Sequence, residues 1–391
     1  MRTQVGIVGA GPAGLMLAQM LHNEGIDSVI FEAKDKIYAI ERVRAGVLEQ
    51  GAVDTLREIG VGKRLDAERM EHDGITFAFN GEHRYIDVKA LTGGRTVSVY
   101  GQRDVVKDLI DARERYSEVK WECPVSAISD VNTASPKIHF TEDGEDKILE
   151  CDYIAGTDGF WGPCRKSLPT EKLVTHEFVY PYSWLGLLAD APPASHVVIY
   201  ANHANGFALQ SMRSPSVSRL YIQCDNDDDV DNWPDEKLWD ELDLRMDQGT
   251  GYKNNRGPIT AKGITPMRSF VCETMRHGRM FLAGDAAHIV PPTGAKGLNL
   301  AVADVRVLAL ALTEAINNGS QSLMDDYESI CLERIWKVER FSWWVTTSFH
   351  TDKNKSEFER KLQLATLDTL TSSEASATSF AEVYAGLPYT H

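Results

Sequence analysis

The chain has 391 residues, 43% of them hydrophobic, which is enough for a sizeable buried core and more than one domain. Its formal net charge of −16 at pH 7 argues against nucleic acids and anionic membranes as partners, because both are bound through basic surfaces. Six cysteines without a CxxC pair or a histidine cluster predict no zinc site, no other metal and no disulfide framework. With no leader and no membrane-spanning apolar run, the sequence predicts a cytoplasmic protein.

A strand, a glycine-rich turn, a helix and a second strand open the chain. Residues 4–8 predict a short strand, GAGPAG follows, and helical apolar spacing precedes the second strand, DSVIFE. Gly9 permits a tight turn, Gly11 the approach of a pyrophosphate, and Gly14 close packing of helix on strand. Glu32 ends the second strand, where its carboxylate can accept both hydroxyls of a ribose. This order predicts dinucleotide binding in a doubly wound, Rossmann-like α/β domain, without deciding between NAD and FAD.

The later segments predict a second sheet and a helical end. Residues 75–99 and 137–154 alternate with period two, as antiparallel strands do. A further β-rich stretch, residues 178–224, is punctuated by turn residues and predicts a distinct sheet domain. After Met280 a short strand leads into a stretch rich in glycine and proline, and a mostly helical pattern continues to the end.

An acidic run in the second half has the spacing of a calcium loop. Its carboxylates take positions one, three, five, seven and twelve of that loop: Asp225, Asp227, Asp229, Asp231 and Glu236. Val230, however, stands where the loop needs glycine, and a strand rather than a helix precedes the run. We therefore predict a solvated loop before a helix that starts near Pro234.

Two further stretches decide between the two dinucleotides. GRMFLAGDAAH places Asp285 directly after a strand and a glycine, and DYIAGTDGFWGPCRK is built around Asp158, Gly159 and Arg165. With GAGPAG, they resemble the three fingerprints of the FAD-dependent aromatic hydroxylases, in the order of that family. The resemblance covers essentially the whole chain and implies FAD as the cofactor. It implies that Asp285 holds the ribityl chain, and that the third fingerprint serves both FAD and the nicotinamide coenzyme.

The stretch PPTGAKGLN is predicted to surround the flavin ring. Its small residues and irregular backbone allow close contact with a flat ring, and a helix starting near residues 296–298 would stabilise negative charge at the N1–C2=O edge. The resemblance also implies a flavin that swings between an exposed and a buried position, with Arg219 near its path. It implies FAD contacts at Gly9, Gly11, Ala13, Gly14, Glu32, Arg42, Arg44, Ala45, Gly46, Val47, Gln102, Asp158, Asp285, Leu298 and Asn299.

Several stretches resemble the members of this family that act on 4-hydroxybenzoate. They are RAGVLEQG, YPYSWLGLLAD, IYANHANGFALQSMRS, RIWKVERFSWW and YAGLPY. The resemblance implies that Ser211, Arg213 and Tyr221 bind the carboxylate of a small aromatic acid. The planar guanidinium of Arg213 can supply a bidentate fork that suits a benzoate.

At the phenol end, the resemblance implies a proton relay. Tyr200 and Tyr384 match the pair beside the phenol oxygen, and His72 matches the far end of the relay. Pro292 would offer its carbonyl to the phenol, and Thr293 would contact the substrate. The implied reaction converts 4-hydroxybenzoate to 3,4-dihydroxybenzoate with O2 and a reduced nicotinamide, through a flavin C4a-hydroperoxide.

Three other interpretations stay open on sequence alone. The same fold could hydroxylate a related para-substituted benzoate such as 4-aminobenzoate. A nicotinamide dehydrogenase would share GAGPAG but has no reason to carry GDAAH or the PPTGAKG loop. A non-catalytic flavin-binding or redox-sensing protein could keep both stretches.

The coenzyme site is where the sequence departs from the family's usual pattern. Ala13 stands where the family often has serine, and Leu220 stands where it has tyrosine. Trp161 stands where a histidine often contacts the coenzyme, and Ala33 and Lys34 replace the usual Arg-Gln pair. We expect NADPH as co-substrate, with NADH possible. The expected contacts are Lys34, Tyr38, Arg42, Arg44, Arg165 and Arg268.

The resemblance also implies the overall organisation. Residues 1–174 would form the main part of an FAD-binding, doubly wound domain, and residues 175–280 a β-sheet domain that binds the substrate. Residues 281–391 would supply the flavin-contacting segment and a helical C-terminal interface region. By analogy with the family, we expect a homodimer.

Overall fold

A computed structural model describes residues 2–41 and 46–389. The sites predicted at Arg42, Arg44 and Ala45 lie outside the described residues. The first strands are β1 (Arg2–Val8), β2 (Ser28–Phe31), β3 (Val47–Leu48), β4 (Met70–His72), β5 (Gly74–Phe79), β6 (Glu82–Asp87), β7 (Val97–Val99), β8 (Val119–Lys120), β9 (Val125–Ser129), β10 (Lys137–Glu142) and β11 (Glu145–Gly156). The later strands are β12 (Thr175–Ala189), β13 (Val198–His203), β14 (Gly206–Ser214), β15 (Val217–Cys224), β16 (Ile259–Cys272), β17 (Arg276–His277), β18 (Met280–Leu282) and β19 (His288–Ile289).

Helices connect and cover these strands. They are α1 (Pro12–Asn23), α2 (Lys36–Glu41), α3 (Gln50–Glu58), α4 (Lys63–Glu68), α5 (Val88–Leu91), α6 (Gln102–Arg113), α7 (Pro163–Lys166), α8 (Asp235–Asp247), α9 (Gly297–Asn318), α10 (Ser322–Asp325), α11 (Tyr327–Phe349), α12 (Glu357–Ser372) and α13 (Glu374–Ala385). The helical C-terminal region predicted from the sequence is therefore present. Among the described residues, no helix is both long enough and apolar enough to cross a membrane.

The first sheet is the predicted parallel, doubly wound sheet. Its central order is β17-β18-β11-β1-β2-β8, and β1 runs parallel to both β2 and β11. A β9–β10 extension pairs antiparallel with β11. Helix α1 packs against α6 and α9, and its apolar residues join the largest core cluster. The carboxyl ends of β1 and β2 thus meet at the start of α1, where this fold binds dinucleotides.

The second sheet has the order β19-β16-β12-β15-β14-β13-β5-β6. Because side chains alternate across a strand, its two faces build separate cores. Helix α8 covers one face, with Leu238 and Trp239 among the packed residues, and α11, α12 and α13 cover the other. β5 and β6 join this sheet although they lie within residues 1–174, and β17 and β18 join the first sheet although they lie within or after residues 175–280. The predicted domain boundaries therefore cut across both sheets, and the division into domains remains a prediction.

The acidic run between β15 and α8 forms local hydrogen bonds. Asp229 accepts from the backbone N–H of Asp231, and Asp228 accepts from Asn232 and from the indole of Trp233. Helix α8 begins at Asp235, directly after Pro234. Within the described residues, no group of three or more His, Cys, Asp or Glu side chains is arranged to hold a metal ion.

Candidate active site

The glycines after β1 differ in what surrounds them. At Gly9 the φ angle is +105°, and an added Cβ would lie 2.5 Å from the carbonyl oxygen of Thr157. At Gly14 an added Cβ would lie 2.0 Å from the carbonyl oxygen of Gly9. At Gly11 nothing lies within 4 Å of an added Cβ. The first and last glycines are therefore needed for the turn and the packing, while the middle one faces open space at the start of α1, as the approach of a pyrophosphate requires.

Two carboxylates follow β2 and β11, the strands on either side of β1. Glu32 accepts the backbone N–H groups of Ala10 and Lys34, both at 3.0 Å, which fixes its carboxylate beside the glycine turn. Asp158 accepts from the backbone N–H of Cys164 at 2.8 Å, and its Oδ1 is buried without a hydrogen-bond partner among the described residues. Burial raises the pKa of Asp158. The unpartnered oxygen calls for a donor that a bound ligand can supply.

Asp285 lies in a short turn directly after β18, and its side chain is exposed. Asp304 of α9 stabilises this turn: its carboxylate accepts from Gly284 N–H at 2.8 Å and lies 2.6 Å from Nε2 of His288. Burial alone would lower the pKa of His288, but the adjacent carboxylate raises it. The sequence analysis missed Asp304; a single aspartate within the apolar run GLNLAVADVRV was the signal available.

The start of α9 is tied to the segment that precedes α3. Asn299 donates to the carbonyls of Val47 and Ala295, both at 3.0 Å, and its Oδ1 accepts from Glu49 N–H at 2.9 Å. Lys296 is buried and pairs with Glu49 at 2.7 Å. Burial lowers the pKa of Lys296, and Glu49 opposes this shift. Helix α9 begins at Gly297, close to the start predicted from the sequence.

Six of the eight predicted catalytic and substrate residues line one cavity. It lies between the second sheet and the loop before α9, and its volume is about 570 Å³ including the open mouth. Neighbouring strands place Tyr200 opposite Leu209, and Leu209 opposite Tyr221, so these side chains share a face. The lining residues are Gly46, Val47, Val99, Trp184, Val198, Tyr200, Leu209, Ser211, Met212, Arg213, Arg219, Tyr221, Pro292, Ala295 and Tyr384. Of these, the sequence analysis did not assign the apolar walls, which have no distinctive local pattern.

One end of the cavity is cationic. The guanidinium of Arg213 lies against the backbone of Gly101, where an added Cβ would be 2.0 Å from Nη1 and 2.2 Å from Nη2. Burial lowers the pKa of Arg213, and Asp104, 3.9 Å away, opposes the shift. Ser211 and Tyr221 line the same cavity. The three residues predicted to bind the carboxylate thus share one cavity, and Gly101, which the sequence analysis missed, makes room for the guanidinium.

The cavity is also lined by two tyrosines, Tyr200 and Tyr384. Tyr200 is buried and donates to the carbonyl oxygen of Thr293, whose side-chain hydroxyl lies 2.9 Å from that of Thr346. Burial raises the pKa of Tyr200 well above its usual value, and the neighbouring Tyr384 adds to this shift. The Pro292 carbonyl accepts from Ala295 N–H at 2.9 Å and keeps a second lone pair for another donor.

His72 lies outside the lining of this cavity. Its Nε2 is 2.6 Å from the sulfur of Met212, which does line the cavity, and its Nδ1 has no hydrogen-bond partner among the described residues. Burial lowers the pKa of His72 to about 4, so the ring is neutral at pH 7. The structure therefore places His72 one side chain away from the cavity, and its place in the relay stays a prediction.

The residues predicted for the coenzyme lie in two groups. Arg165 is held between the rings of Phe160 and Phe270, 4.6 Å from each centroid, and donates to the carbonyl of Ala286 beside Asp285. Arg268 lies 5.0 Å from the Phe160 ring and 6.0 Å from the ring of Trp161, which is 74% exposed.

The second group is on the exposed α2 side. Tyr38 is 50% exposed, and Nζ of Lys34 lies 5.8 Å from its ring. No residue of α2 is buried, so the side chains of this helix are at least partly accessible to a ligand or to solvent. That these two groups bind the coenzyme together stays a prediction.

These residues fit FAD. The open backbone at Gly11, the fixed carboxylate of Glu32, the orphaned oxygen of Asp158 and the exposed carboxylate of Asp285 supply matching partners for pyrophosphate, ribose and ribityl groups. The start of α9, directly after Ala295 of the cavity lining, adds positive potential there, where a reduced flavin would carry negative charge.

Comparison with known proteins agrees with this fit. The chain matches the FAD binding domain family over residues 2–342 and belongs to that family, as an FAD-dependent aromatic hydroxylase. It is 48% identical over 390 residues to the p-hydroxybenzoate hydroxylase of Acinetobacter baylyi, which covers 100% of this chain and 96% of that protein. It is 24% identical over 340 residues to the 3-(3-hydroxy-phenyl)propionate/3-hydroxycinnamic acid hydroxylase of a Mycobacterium species, which covers 83% of this chain and 56% of that protein.

Solved structures share the fold. The p-nitrophenol 4-monooxygenase of Pseudomonas putida superposes with a TM-score of 0.83 at 18% identity, covering 99% of both chains. An aklavinone-11 hydroxylase, solved with FAD and aklavinone, gives a TM-score of 0.74 at 21% identity over 89% of this chain and 69% of that chain. The α/β fold predicted from the sequence is confirmed, and so is FAD as the cofactor.

Proposed function

We propose that this protein is a flavin-dependent monooxygenase that converts 4-hydroxybenzoate to 3,4-dihydroxybenzoate. One observation carries the proposal: a single cavity is lined both by Arg213 and by Tyr200 and Tyr384. That arrangement matches a small ring with a carboxylate and a phenol in para positions. The 48% identity to the Acinetobacter enzyme supports the same substrate.

The proposed reaction consumes one O2 and one NADPH. One oxygen atom enters the ring ortho to the phenol, the other leaves as water, and NADPH gives up a hydride. FAD, when bound, supplies the redox chemistry by accepting that hydride and activating O2. The protein's own part is to bind, orient and activate the aromatic ring, and to exclude water from it.

Each end of the cavity has a separate task. Arg213 fixes the ring by a charge-assisted, bidentate contact with the carboxylate. Tyr200, by hydrogen bonding to the phenol oxygen, favours the phenolate, which makes the ring more nucleophilic. Tyr384 and His72 are the next members of the route by which we propose the phenol proton leaves. Burial keeps His72 neutral at pH 7, so one of its ring nitrogens has a lone pair to which a hydroxyl can donate a hydrogen bond.

We further propose that the enzyme is a cytoplasmic homodimer. All six cysteines are unpaired and buried, which supports a reducing compartment. Light scattering on the purified holoenzyme tests the oligomeric state: a mass near 87 kDa, about twice the 43.5 kDa of one chain, supports the dimer.

The substrate is tested by turnover with a panel of benzoates, measuring hydroxylated product by chromatography instead of NADPH loss. We expect product from 4-hydroxybenzoate and little from benzoate or 3-hydroxybenzoate. Preferential turnover of 4-aminobenzoate would instead identify the related hydroxylase. A yellow protein that forms no product would indicate a non-catalytic flavoprotein, and a colourless one a dehydrogenase.

A first prediction concerns the coenzyme. We expect NADPH to be preferred over NADH, because Arg165 and Arg268 remain near Trp161 although Ala33 and Lys34 replace the usual Arg-Gln pair. The discrimination should be weaker than in relatives with that pair. The measurement is kcat/KM for each coenzyme at saturating 4-hydroxybenzoate. A ratio that favours NADH would show that the retained arginines do not read the 2′-phosphate.

A second prediction concerns Gly101. Its φ of −57° and ψ of 138° suit alanine, so Gly101→Ala strains no backbone, but the new Cβ displaces the Arg213 guanidinium. We expect the Kd for 4-hydroxybenzoate to rise by about tenfold, with flavin content and melting temperature unchanged. Gly263→Ala is the matched control, because nothing lies within 4 Å of a Cβ added there. In an Arg213→Ala background, Gly101→Ala should have no further effect; an additive loss would contradict the steric explanation.

A further inference from the structure

The last residues before the described chain ends form an anchored segment, which we call the C-terminal tail (residues 386–389). It follows α13, whose last turn contains Tyr384, and it begins at Gly386, where φ is +108°. The carbonyls at the end of a helix have no partner within the helix. Here cations from distant parts of the chain provide the partners.

Lys296 satisfies the last turn of α13. Its Nζ donates to the carbonyls of Val383 and Tyr384, at 2.6 Å and 2.9 Å, while it pairs with Glu49. Arg95 donates to the Gly386 carbonyl at 2.7 Å. The carbonyl of Tyr384 is thus hydrogen-bonded to Lys296, and the carbonyl of Gly386 to Arg95, which lies in a different part of the chain.

Arg334 of α11 binds the tail itself. It donates to the carbonyls of Leu387 and Pro388, the latter at 3.0 Å. Its guanidinium also lies 4.8 Å from the ring centroid of Tyr389, and Arg306 of α9 lies 4.9 Å from the same centroid. The Tyr389 ring is therefore contacted by two arginines from two different helices, an arrangement stabilised by cation–π attraction.

The tip of the Tyr389 side chain packs on α3. A Cβ added at Gly51 would lie 2.7 Å from ring atom Cε2 of Tyr389, so only glycine at this position admits the ring. The hydroxyl makes no hydrogen bond of ordinary geometry with the described residues. The ring, and not the hydroxyl, is what docks the tail against α3, α9 and α11.

We propose that docking of Tyr389 positions Tyr384 in the cavity, and that Tyr389 and Arg334 are positioning residues for the hydroxylation. The inference rests on the proposed function, since it assigns Tyr384 to the proton relay. Tyr389 is the side chain by which the tail is docked. Without it the tail frays, as exposed chain ends do, and the bonds from Arg334 and Arg95 are lost. The last turn of α13 then loosens, and with it the Tyr384 ring.

The test compares Tyr389→Ala with Tyr389→Phe as holoenzymes. The phenylalanine variant keeps the ring and removes a hydroxyl that makes no hydrogen bond of ordinary geometry with the described residues, so it should match the wild type. In the alanine variant, the ratio of 3,4-dihydroxybenzoate formed to NADPH consumed should fall by about three- to tenfold, as expected for the loss of one or two hydrogen bonds. Its Kd for 4-hydroxybenzoate should stay near the wild-type value, because Arg213 is untouched.

A second readout separates positioning from general damage. The absorbance of bound 4-hydroxybenzoate is titrated against pH, and its phenol should ionise at a higher pH in Tyr389→Ala than in Tyr389→Phe. Arg334→Lys, which keeps the charge but loses the fork to the two carbonyls, should show the same changes more weakly and covers the case in which the alanine variant does not fold. Wild-type coupling and phenol ionisation in Tyr389→Ala would overturn the proposal, and so would equal losses in the phenylalanine variant.

Hydrogen exchange keeps this test independent of the assigned reaction. The amides of residues 383–389 should exchange faster in Tyr389→Ala than in Tyr389→Phe, whichever benzoate is the substrate. If the wild type forms no 3,4-dihydroxybenzoate, the proposed function fails while the exchange result still decides the anchoring. If exchange is unchanged by the alanine variant, the anchoring fails although the proposed function stands.

Discussion

Replacing Tyr200 by phenylalanine should leave substrate binding and flavin reduction in place but abolish most product formation. The Tyr200 hydroxyl is proposed to meet the phenol oxygen and Arg213 the carboxylate, so removing that hydroxyl leaves the carboxylate contact in place. Without it, the phenolate is no longer favoured and the ring is less nucleophilic. We expect the rate of product formation to fall by about a hundredfold, within the range of general acid–base contributions, while NADPH oxidation continues and yields H2O2.

The hydrogen bond that Tyr200 makes in the structure sharpens this prediction. A hydroxyl has one O–H, and that of Tyr200 is donated to the Thr293 carbonyl. When substrate binds, the same O–H turns to the phenol oxygen. Tyr200→Phe therefore removes the donor for both partners, and leaves a buried carbonyl to be satisfied by the substrate or by water.

The measurement is the ratio of 3,4-dihydroxybenzoate formed to NADPH consumed, together with the substrate Kd from the flavin spectrum. Tyr384→Phe and His72→Asn interrupt the proposed relay further from the ring, and should slow phenol deprotonation with a milder loss of coupling. Should Tyr200→Phe keep wild-type coupling and rate, Tyr200 is a packing residue and the relay assignment fails at all three positions.

Replacing Arg213 by lysine should weaken substrate binding although the positive charge is kept. Lysine keeps the positive charge but has no planar fork, so the bidentate contact is lost. The expected cost is about 1.5–3 kcal/mol, or about ten- to a hundredfold in Kd. Flavin content should be unchanged, because Arg213 lies at the second sheet and not at the glycine turn.

Titration of the flavin spectrum with 4-hydroxybenzoate measures this effect directly. The matched substrate control is phenol, which lacks the carboxylate and should bind wild type and Arg213→Lys about equally weakly. An unchanged affinity of the variant for 4-hydroxybenzoate would exclude Arg213 as the carboxylate partner. The Gly101→Ala variant should move in the same direction, since it displaces the same guanidinium.

The nucleotide-binding part of the fold could be predicted from the sequence, because its signals are local. The strand, the three glycines, the helix and Glu32 all fall within the first 32 residues, and each constrains its neighbours in the chain. The carboxylate clamp, by contrast, was implied only by the family resemblance and stays a prediction; its residues Ser211, Arg213 and Tyr221 lie on two strands, β14 and β15, joined by a short turn. The domain boundaries were harder, because β5 pairs with β13, a strand more than 100 residues later in the chain, and β6 joins the same sheet through β5.

Contacts between residues that are far apart in the chain became visible in the folded structure alone, because such contacts produce no recognisable motif in the sequence. Lys296 and Glu49 are 247 residues apart, and nothing in either segment shows that a buried ion pair joins them. Gly101 follows an ordinary strand, and its importance arises solely because Arg213 folds against it. Nothing in the sequence around Tyr389 indicates that its ring contacts Arg306 and Arg334. From the sequence, the fold class and the cofactor were predicted correctly, and the residues that meet the two ends of the substrate stay predictions. The packing of far-apart elements determined how those groups are held in place, because burial and close contact depend on the folded chain as a whole.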